Sequence, residues 1–237
     1  MNAFNSREIA PDLYLRGPMP QLANFRFAAF DMDSTLIAIE CIDEIAALAG
    51  KGEEVAAITE AAMRGEITDF RESLTRRLSL LAGQPETLLA RVLAERLRFN
   101  PGARELCAAL KAAGIKLGLV SGGFTFFTQY VAQELGMDFV RANALEVVDG
   151  KLTGRVLMQS WGDVVDAEEK RRFLLQHCEQ LGCSPSQAIA VGDGANDLLM
   201  MQAAGLSVAY CAKPKVREQA TVAINSGGLD QLLTVFG

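Results

Sequence analysis

The sequence predicts an α/β protein in which a doubly wound parallel sheet forms the core and a small helical cap domain is inserted. From Pro101 onward, patterns typical of helices and of buried strands alternate along the chain. Such alternation implies a parallel sheet with helices on both faces. Residues 40–97 show only the helical spacing of apolar side chains, which separates them from the sheet.

Length, composition and charge limit the possible classes of function. The chain has 237 residues, of which 50% are hydrophobic, and its net charge is -6. This length suits one large domain or a core with an inserted cap. An acidic chain is a poor candidate for nucleic-acid binding, since basic charge dominates that affinity. We find neither an apolar run long enough for a membrane span nor a secretory signal pattern.

The cysteine and histidine content favours a cytoplasmic protein without a disulfide framework or a zinc site. The five cysteines are an odd number and form no CxxC pair, so neither structure is expected. Free thiols fit a reducing cytoplasm. His177 is the only histidine and stands beside polar residues in a helical segment. We expect it at the surface, outside any catalytic site.

The first part of the chain predicts an irregular extension followed by a strand. Residues 1–24 show no strong periodicity and contain three prolines, so we expect no regular element there. The apolar run 27–30 predicts a buried strand of a parallel sheet.

Two aspartates follow this strand. Asp31 and Asp33 stand at its carboxyl end, where open α/β sheets carry their chemistry. Two carboxylates so close repel each other unless a cation lies between them, and Mg²⁺ prefers carboxylate and phosphate oxygens. The motif therefore predicts phosphate chemistry with a carboxylate nucleophile. The alternative interpretation is a strand that ends in an acidic, helix-capping turn.

The remaining elements follow from periodicity and turn residues. The insertion predicts three to four helices, with apolar residues at helical spacing and glycines between the segments. After it we expect helices at about 102–113, 124–135, 167–181 and 196–203, and strands at about 115–120, 188–191, 207–210 and 222–224. Residues 138–158 are strand-rich, and Asp149-Gly150 predicts a hairpin turn.

A hydroxyl and two glycines follow the strand at 115–120. Ser121, Gly122 and Gly123 stand between this strand and the next helix. Glycines let backbone N–H groups approach an oxyanion, and a helix N-terminus adds positive charge. The loop is therefore a candidate anion site, although an ordinary strand-to-helix connector has the same composition.

Lys170 lies near the start of the helix at 167–181. A lysine can neutralise phosphoryl charge as a compact cation. Taken alone, its charged neighbours favour a solvated helix face.

The last motif combines glycines with oxygen ligands where a buried strand ends and a helix begins. It consists of Gly192, Asp193, Gly194, Asn196 and Asp197. Asp193 can ligate a cation at the strand end, and the glycines permit a tight turn. Asn196 and Asp197 also suit helix capping, which can explain one of them but not the whole cluster.

Together, the four ordered motifs resemble those of the haloacid dehalogenase (HAD-like) superfamily of phosphatases. The resemblance implies a Rossmann-like HAD catalytic core at residues 25–39 and 98–237, a helical cap at 40–97 and an N-terminal extension at 1–24. The stretches Glu40-Cys-Ile-Asp-Glu and Met63 to Leu81 are more closely similar to the phosphoserine phosphatase family within it.

The resemblance implies roles for the core residues. Asp31 would attack phosphorus and become an aspartyl phosphate. Asp33 would protonate the leaving oxygen and then activate the water that hydrolyses this intermediate. Mg²⁺ would be held by the Asp31 carboxylate, the Asp33 backbone carbonyl and Asp193, with Asp197 in support. The phosphate oxygens would be bound by Ser121, Gly122, Gly123, Lys170 and Asn196.

The same resemblance implies how the cap reads the substrate. Glu40 and Arg77 would recognise its amino-acid part, while Met63 and Phe70 would shape and cover the pocket. Without the resemblance, Arg77 fits a solvated side chain, and Glu40 fits an acid at a helix N-terminus that the helix dipole favours.

The implied function is a Mg²⁺-dependent phosphoserine phosphatase that releases L-serine and phosphate, the last step of serine biosynthesis. Its partner is the small substrate, with neither nucleic acid nor membrane, and the oligomeric state stays open. Two alternatives keep the chemistry: a phosphotransferase to a small alcohol such as homoserine, and a phosphatase for another small phosphomonoester. A non-catalytic binding protein on the same fold is a third alternative, disfavoured because the nucleophile, acid and lysine are all present.

Overall fold

The structure, a computed structural model, describes residues 6–63, 66, 67 and 69–237. Within them, nine strands form one sheet in the order β1-β2-β9-β8-β7-β3-β4-β5-β6. The strands are β1 (Ser6–Ala10), β2 (Leu13–Arg16), β3 (Phe27–Phe30), β4 (Lys116–Phe124), β5 (Phe139–Val148), β6 (Lys151–Leu157), β7 (Ala188–Gly192), β8 (Leu206–Tyr210) and β9 (Val222–Ile224). The six strands from β9 to β5 run parallel.

Helices cover both faces of this sheet. The α-helices are α1 (Cys41–Leu48), α2 (Gly52–Met63), α3 (Phe70–Ser79), α4 (Thr87–Glu95), α5 (Ala103–Ala112), α6 (Thr125–Leu135), α7 (Ala167–Gln180), α8 (Leu198–Ala203) and α9 (Pro214–Arg217). Short 3-10 helices occur at Leu22–Asn24, Pro185–Gln187, Ala195–Asp197 and Leu229–Val235. None of the helices in the described ranges is long and apolar enough to cross a membrane.

Strand β3 lies at the centre of the sheet because its side chains are apolar on both faces. It pairs in parallel with β4 on one side and β7 on the other. Successive side chains of a strand point to opposite faces. Phe30 accordingly packs in the apolar layer beneath α5 and α6, whereas Phe27 packs in the layer beneath α7 and α8. The predicted doubly wound α/β fold is confirmed.

Helices α1 to α4 all lie within the insertion, between β3 and β4 in the chain. Their buried apolar side chains belong to the same core cluster as one face of the sheet. Helix α3 packs against β6, and Gly154 permits this close approach. A Cβ atom at Gly154 would lie 3.0 Å from the carbonyl oxygen of Leu78 and 3.1 Å from Cβ of Ala82.

The expectation of an irregular N-terminal segment is wrong for residues 6–16. Strands β1 and β2 form an antiparallel hairpin, and β2 pairs antiparallel with β9. Leu13 and Leu15 are fully buried, so β2 has one apolar face despite its four residues. Pro11 lies in the turn between the strands, where Asp12 has a φ of 60°. The segment is too short for its period-two pattern to be recognised in the sequence.

The expectation that His177 lies at the surface is also wrong. Its ring is buried, stacks on Phe139 at 4.1 Å between centroids and meets Phe173 edge-on at 4.4 Å. Its Nδ1 lies 3.1 Å from Oε1 of Gln180. The polar neighbours in the sequence misled the interpretation, because Gln176, Glu179 and Gln180 are exposed while the ring of His177 lies in the core. Burial lowers the pKa of His177 below its usual value.

Candidate active site

Three of the four motifs meet at one edge of the sheet because β3 lies between β4 and β7. Asp31 directly follows β3, Ser121 lies near the carboxyl end of β4, and Asp193 directly follows β7. Open α/β sheets bind ligands in the crevice at such strand ends. The remaining motif residue, Lys170, lies in the first turn of α7 and reaches the same ends of the strands, as its contacts show.

Lys170 joins two of the motif carboxylates. Its Nζ lies 2.8 Å from Asp31 Oδ2 and 2.7 Å from Asp197 Oδ1, and its side chain is fully buried. The interpretation of Lys170 as a solvated residue is therefore wrong. Asp166 caps α7 by accepting a hydrogen bond from the Glu169 backbone N–H at 2.8 Å. This cap fixes where the helix begins and hence where Lys170 points.

The electrostatics of this pair reflect its burial. Burial alone would lower the pKa of Lys170, but Asp197 and Asp31 raise it above its usual value. The amine is therefore a permanent cation. Burial raises the pKa of Asp31, Lys170 opposes this effect, and the carboxylates of Asp197 and Asp193 add to it.

Three carboxylates form the most acidic part of the site. Oxygens of Asp31, Asp193 and Asp197 all lie within 4.8 Å of one another. Burial and the charges of Asp197 and Glu40 raise the pKa of Asp193 to about 6. Thr35 donates a hydrogen bond to Asp193 Oδ1 at 3.3 Å.

This donor set fits a hard divalent cation. Mg²⁺ takes oxygen ligands and is bound by one or two carboxylates plus substrate phosphate. Asp197 is already engaged, since Oδ1 accepts from Lys170 and Oδ2 accepts from the Gly194 N–H at 3.0 Å. Asp31 is engaged in the same way, by Lys170 at Oδ2 and by the Met32 N–H at Oδ1 at 2.7 Å, whereas the hydrogen bond from Thr35 to Asp193 is long. Asp193 is therefore the carboxylate of the cluster that is most available to a cation. With Lys170 as their close cationic partner, the three carboxylates leave an excess of negative charge for a metal ion to neutralise.

Asp33 lies in the core segment between β3 and α1, and its two oxygens have different environments. The thiol of Cys41 donates to its Oδ1 at 3.0 Å. A Cβ atom at Gly123 would lie 2.9 Å from its Oδ2, so this side faces the last residues of β4. Burial and the charge of Glu40 raise the pKa of Asp33 to about 7, against the hydrogen bonds from Cys41.

Hydrogen bonds hold Ser121, Gly122 and Gly123, which lie near the end of β4, in position. The Gly123 N–H donates to Ser121 Oγ at 2.9 Å. The fully buried amide of Asn143 donates to the Gly122 carbonyl at 2.7 Å and accepts from the Val165 N–H at 2.8 Å. Asn143 therefore fixes the loop relative to the segment that leads into α7.

Asn196 belongs to the 3-10 turn Ala195–Asp197. Its Oδ1 faces Gly194, where a Cβ atom would lie only 2.3 Å from it. In the chain it directly precedes Asp197, a member of the three-carboxylate cluster.

The cap contributes acidic, basic and aromatic groups above these motifs. Glu40 is the N-cap residue of α1 and accepts a hydrogen bond from Ser34 Oγ at 2.7 Å. The ring of Phe70 covers Gly122, because a Cβ atom there would lie 2.9 Å from Phe70 Cζ. The side chain of Met63 lies outside the described residues.

Arg77 is partly buried on α3, and its Nε donates a hydrogen bond to the Ser73 carbonyl oxygen at 3.4 Å. Burial lowers its pKa, while the charges of Asp43, Glu40 and Asp33 oppose this effect. This partial burial disfavours the interpretation of Arg77 as a fully solvated side chain. Asp43 Oδ1 is buried and has no hydrogen-bond partner among the described residues.

Several positioning residues were missed in the sequence. Cys41 and Asn143 are described above, and Asn100 holds the loop after the nucleophile. Its Nδ2 lies 2.8 Å from the Thr35 carbonyl oxygen and 3.1 Å from that of Ile37. The available signal was position alone, since Asn100 stands where the chain returns from the insertion to the core.

Comparison with known proteins agrees with the fold. A family model for haloacid dehalogenase-like hydrolases matches residues 25–205. The chain belongs to the haloacid dehalogenase-like hydrolase family. This range includes all four motifs and the inserted helices.

This hydrolase has close relatives among curated proteins. It is 60% identical over 230 residues to a phosphoserine phosphatase of Albidiferax ferrireducens, which covers 96% of this chain and 97% of the relative. It is 61% identical over 228 residues to a phosphoserine phosphatase of a Polaromonas species, covering 95% and 97%. A substrate-bound phosphoserine phosphatase complex has a TM-score of 0.82 and 38% identity, covering 90% of this chain and 99% of that one.

Proposed function

We propose that this hydrolase is a Mg²⁺-dependent phosphoserine phosphatase, which cleaves O-phospho-L-serine into L-serine and phosphate. The observation that carries the proposal is a buried carboxylate, Asp31, held by Lys170 beside further acidic groups and beneath a cap with Glu40 and Arg77. The names of the relatives support the same substrate. As part of this proposal, the reaction is the last step of serine biosynthesis and takes place in the cytoplasm.

Asp31 acts as the nucleophile in the first step. Its oxygen forms a bond to phosphorus while the bond from phosphorus to the seryl oxygen breaks. The ion pair with Lys170 favours the ionised form of Asp31, and an ionised carboxylate needs no general base to activate it, which accounts for chemistry without histidine. Lys170 holds Asp31 at 2.8 Å, and positioning and charge neutralisation carry most of the catalysis of phosphoryl transfer.

Asp33 acts as the general acid and then as the general base. It gives its proton to the departing seryl oxygen and later takes a proton from the water that attacks the aspartyl phosphate. A catalytic pKa near the working pH serves both directions, and the pKa of Asp33 is raised to about 7.

The remaining core residues hold the phosphoryl group and the metal ion. Ser121 and the glycines that follow it present polar groups at the end of β4, and Lys170 supplies a buried positive charge. Mg²⁺ would be held by Asp31, Asp193 and the backbone carbonyl of Asp33, and would neutralise phosphoryl charge when bound.

The cap supplies substrate recognition. Arginine offers a planar pair of donors that matches a carboxylate, and Arg77 is the proposed partner of the substrate carboxylate. Glu40 is complementary to its ammonium group. Phe70 covers Gly122 and excludes water during transfer. Because L-phosphoserine carries both charged groups, this pair disfavours simple phosphate esters.

The test compares phosphate release from L-phosphoserine with release from a panel of small phosphomonoesters, with Mg²⁺ and with a chelator. We expect metal-dependent hydrolysis with a strong preference for phosphoserine. Metal-dependent hydrolysis without this preference would overturn the substrate, and identification of products in the presence of homoserine would reveal a phosphotransferase.

A matched pair of arginine variants tests the role of the cap. Arg77→Ala should lose the preference for phosphoserine while a generic ester is still cleaved. Arg76→Ala is the control, because Arg76 is exposed and pairs with Glu72 on the outer surface of α3. Equal selectivity in the two variants would contradict the proposed role of Arg77.

A further inference from the structure

The proposed general acid has two oxygens in different surroundings. Oδ1 of Asp33 accepts a hydrogen bond from the thiol of Cys41 at 3.0 Å. Oδ2 lies on the side of Gly123, where a Cβ atom would be 2.9 Å from it. The loop on this second side is the one proposed to hold the phosphoryl group.

Cys41 is held rigidly in place. It is the first residue of α1 and is fully buried. Glu40, which precedes it, is the extended N-cap residue and is fixed by the hydrogen bond from Ser34 at 2.7 Å. Full burial leaves the thiol little space for other rotamers, which favours its contact with Asp33.

A thiol that donates to one carboxyl oxygen controls where the acid carries its proton. An S–H group is a weak donor and needs an acceptor, so Oδ1 satisfies it best when that oxygen has no proton. The proton of a neutral Asp33 is then carried by Oδ2, on the side of the phosphate-binding loop. A general acid is effective only when its proton lies within hydrogen-bond reach of the atom that receives it.

We propose that Cys41 is a positioning residue that holds Asp33 with Oδ2 directed at the leaving oxygen. The inference deepens the proposed function and rests on it, since it concerns the proton delivered to the seryl oxygen. The covalent chemistry is unchanged: the bond from phosphorus to the seryl oxygen breaks, and the proton on Oδ2 moves to that oxygen. Cys41 contacts neither phosphate nor substrate in this role.

Leaving groups of different basicity separate this role from a structural one. A seryl alkoxide needs a proton as it departs, whereas p-nitrophenolate does not. The ratio kcat/KM reports only steps up to phosphoryl transfer. Cys41→Ala should lower kcat/KM for L-phosphoserine by about fivefold or more, the equivalent of one lost hydrogen bond. We expect kcat/KM for p-nitrophenyl phosphate to stay within about twofold of wild type, since no acid is needed there.

Two further variants keep the test decisive. Cys41→Ser retains a donor and should recover most of the rate on phosphoserine. Cys107→Ala is the matched control, because Cys107 is an equally buried cysteine on α5, and it should leave the ratio of the two substrates unchanged. Equal losses on both substrates in Cys41→Ala, or no loss on either, would overturn the inference. The wild-type rate on phosphoserine tests the proposed function separately.

Discussion

The amine of Lys170 lies 2.8 Å from a carboxylate oxygen of Asp31, and both side chains are almost completely shielded from solvent. The same amine lies 2.7 Å from Asp197. One buried cation thus holds the proposed nucleophile and a residue of the last motif in fixed positions. This relationship connects the start of α7 with the ends of β3 and β7, and it sets the first prediction.

Removal of the buried cation should be costly. Lys170→Met leaves Asp31 and Asp197 as uncompensated buried charges, and breaking a buried pair in this way destabilises by about 3–5 kcal/mol. Urea unfolding should show this loss together with the loss of turnover. Lys116→Met is the control, because Lys116 and Asp138 form a partly exposed pair at 2.7 Å whose contribution is about 1 kcal/mol or less. If the two variants lost the same free energy of unfolding, Lys170 would not be the buried cation that holds the site together.

A methyl group in the phosphate loop should disturb Asp33. In Gly123→Ala the new Cβ would lie 2.9 Å from Asp33 Oδ2 and 3.0 Å from both Met32 Cε and Ser121 Oγ. Two of these neighbours are parts of the proposed site, so we expect kcat to fall by an order of magnitude or more. Steady-state kinetics with phosphoserine would measure it.

Gly52→Ala provides the control for this substitution. A Cβ atom at Gly52 would lie 3.5 Å from its nearest neighbour, which is an ordinary contact. Gly52 is the first residue of α2 and is not among the proposed site residues. Its kcat should equal that of wild type. A Gly123→Ala enzyme with unchanged kcat would show that the loop and Asp33 are less closely coupled than the distances imply.

Stability should depend on pH through His177. Burial lowers the pKa of its folded form below the usual value of 6.5, so the fold prefers the neutral ring. This contribution to stability is fully present above pH 6.5 and is lost as the pH falls through the lower pKa of the folded protein. The contribution of His177 to the free energy of unfolding should therefore decrease between pH 7.5 and pH 5, while the raised pKa values of Asp33 and Asp193 act in the opposite direction.

His177→Phe isolates this effect, since phenylalanine keeps a ring against Phe139 and Phe173 but does not titrate. Urea unfolding at the two pH values should show that lowering the pH from 7.5 to 5 raises the free energy of unfolding of the variant relative to that of wild type. An identical pH dependence in both proteins would exclude His177 as its source.

The sequence predicted the elements whose signal is local and strong. The apolar run 27–30 identifies β3, and the two aspartates that follow it identify the ends of the strands where the site lies. The Asp149-Gly150 turn between β5 and β6 was likewise predicted. In both cases a short stretch of residues determines the structure without help from distant parts of the chain.

Other features depend on contacts between distant residues. The strand nature of β2 arises from its pairing with β9, and the burial of His177 arises from packing against Phe139. Lys170 lies in a charged stretch of sequence, and only its bonds to Asp31 and Asp197 show it to be buried. Such information is absent from local periodicity, which describes one element at a time.

The most direct test of the account is the rate of phosphate release from L-phosphoserine by Asp31→Asn compared with wild type, in the presence of Mg²⁺. The asparagine side chain has nearly the same shape but cannot form the covalent intermediate. The account predicts that release falls to the uncatalysed background in a protein that still folds. Turnover that survives the substitution would contradict a mechanism through an aspartyl phosphate at Asp31.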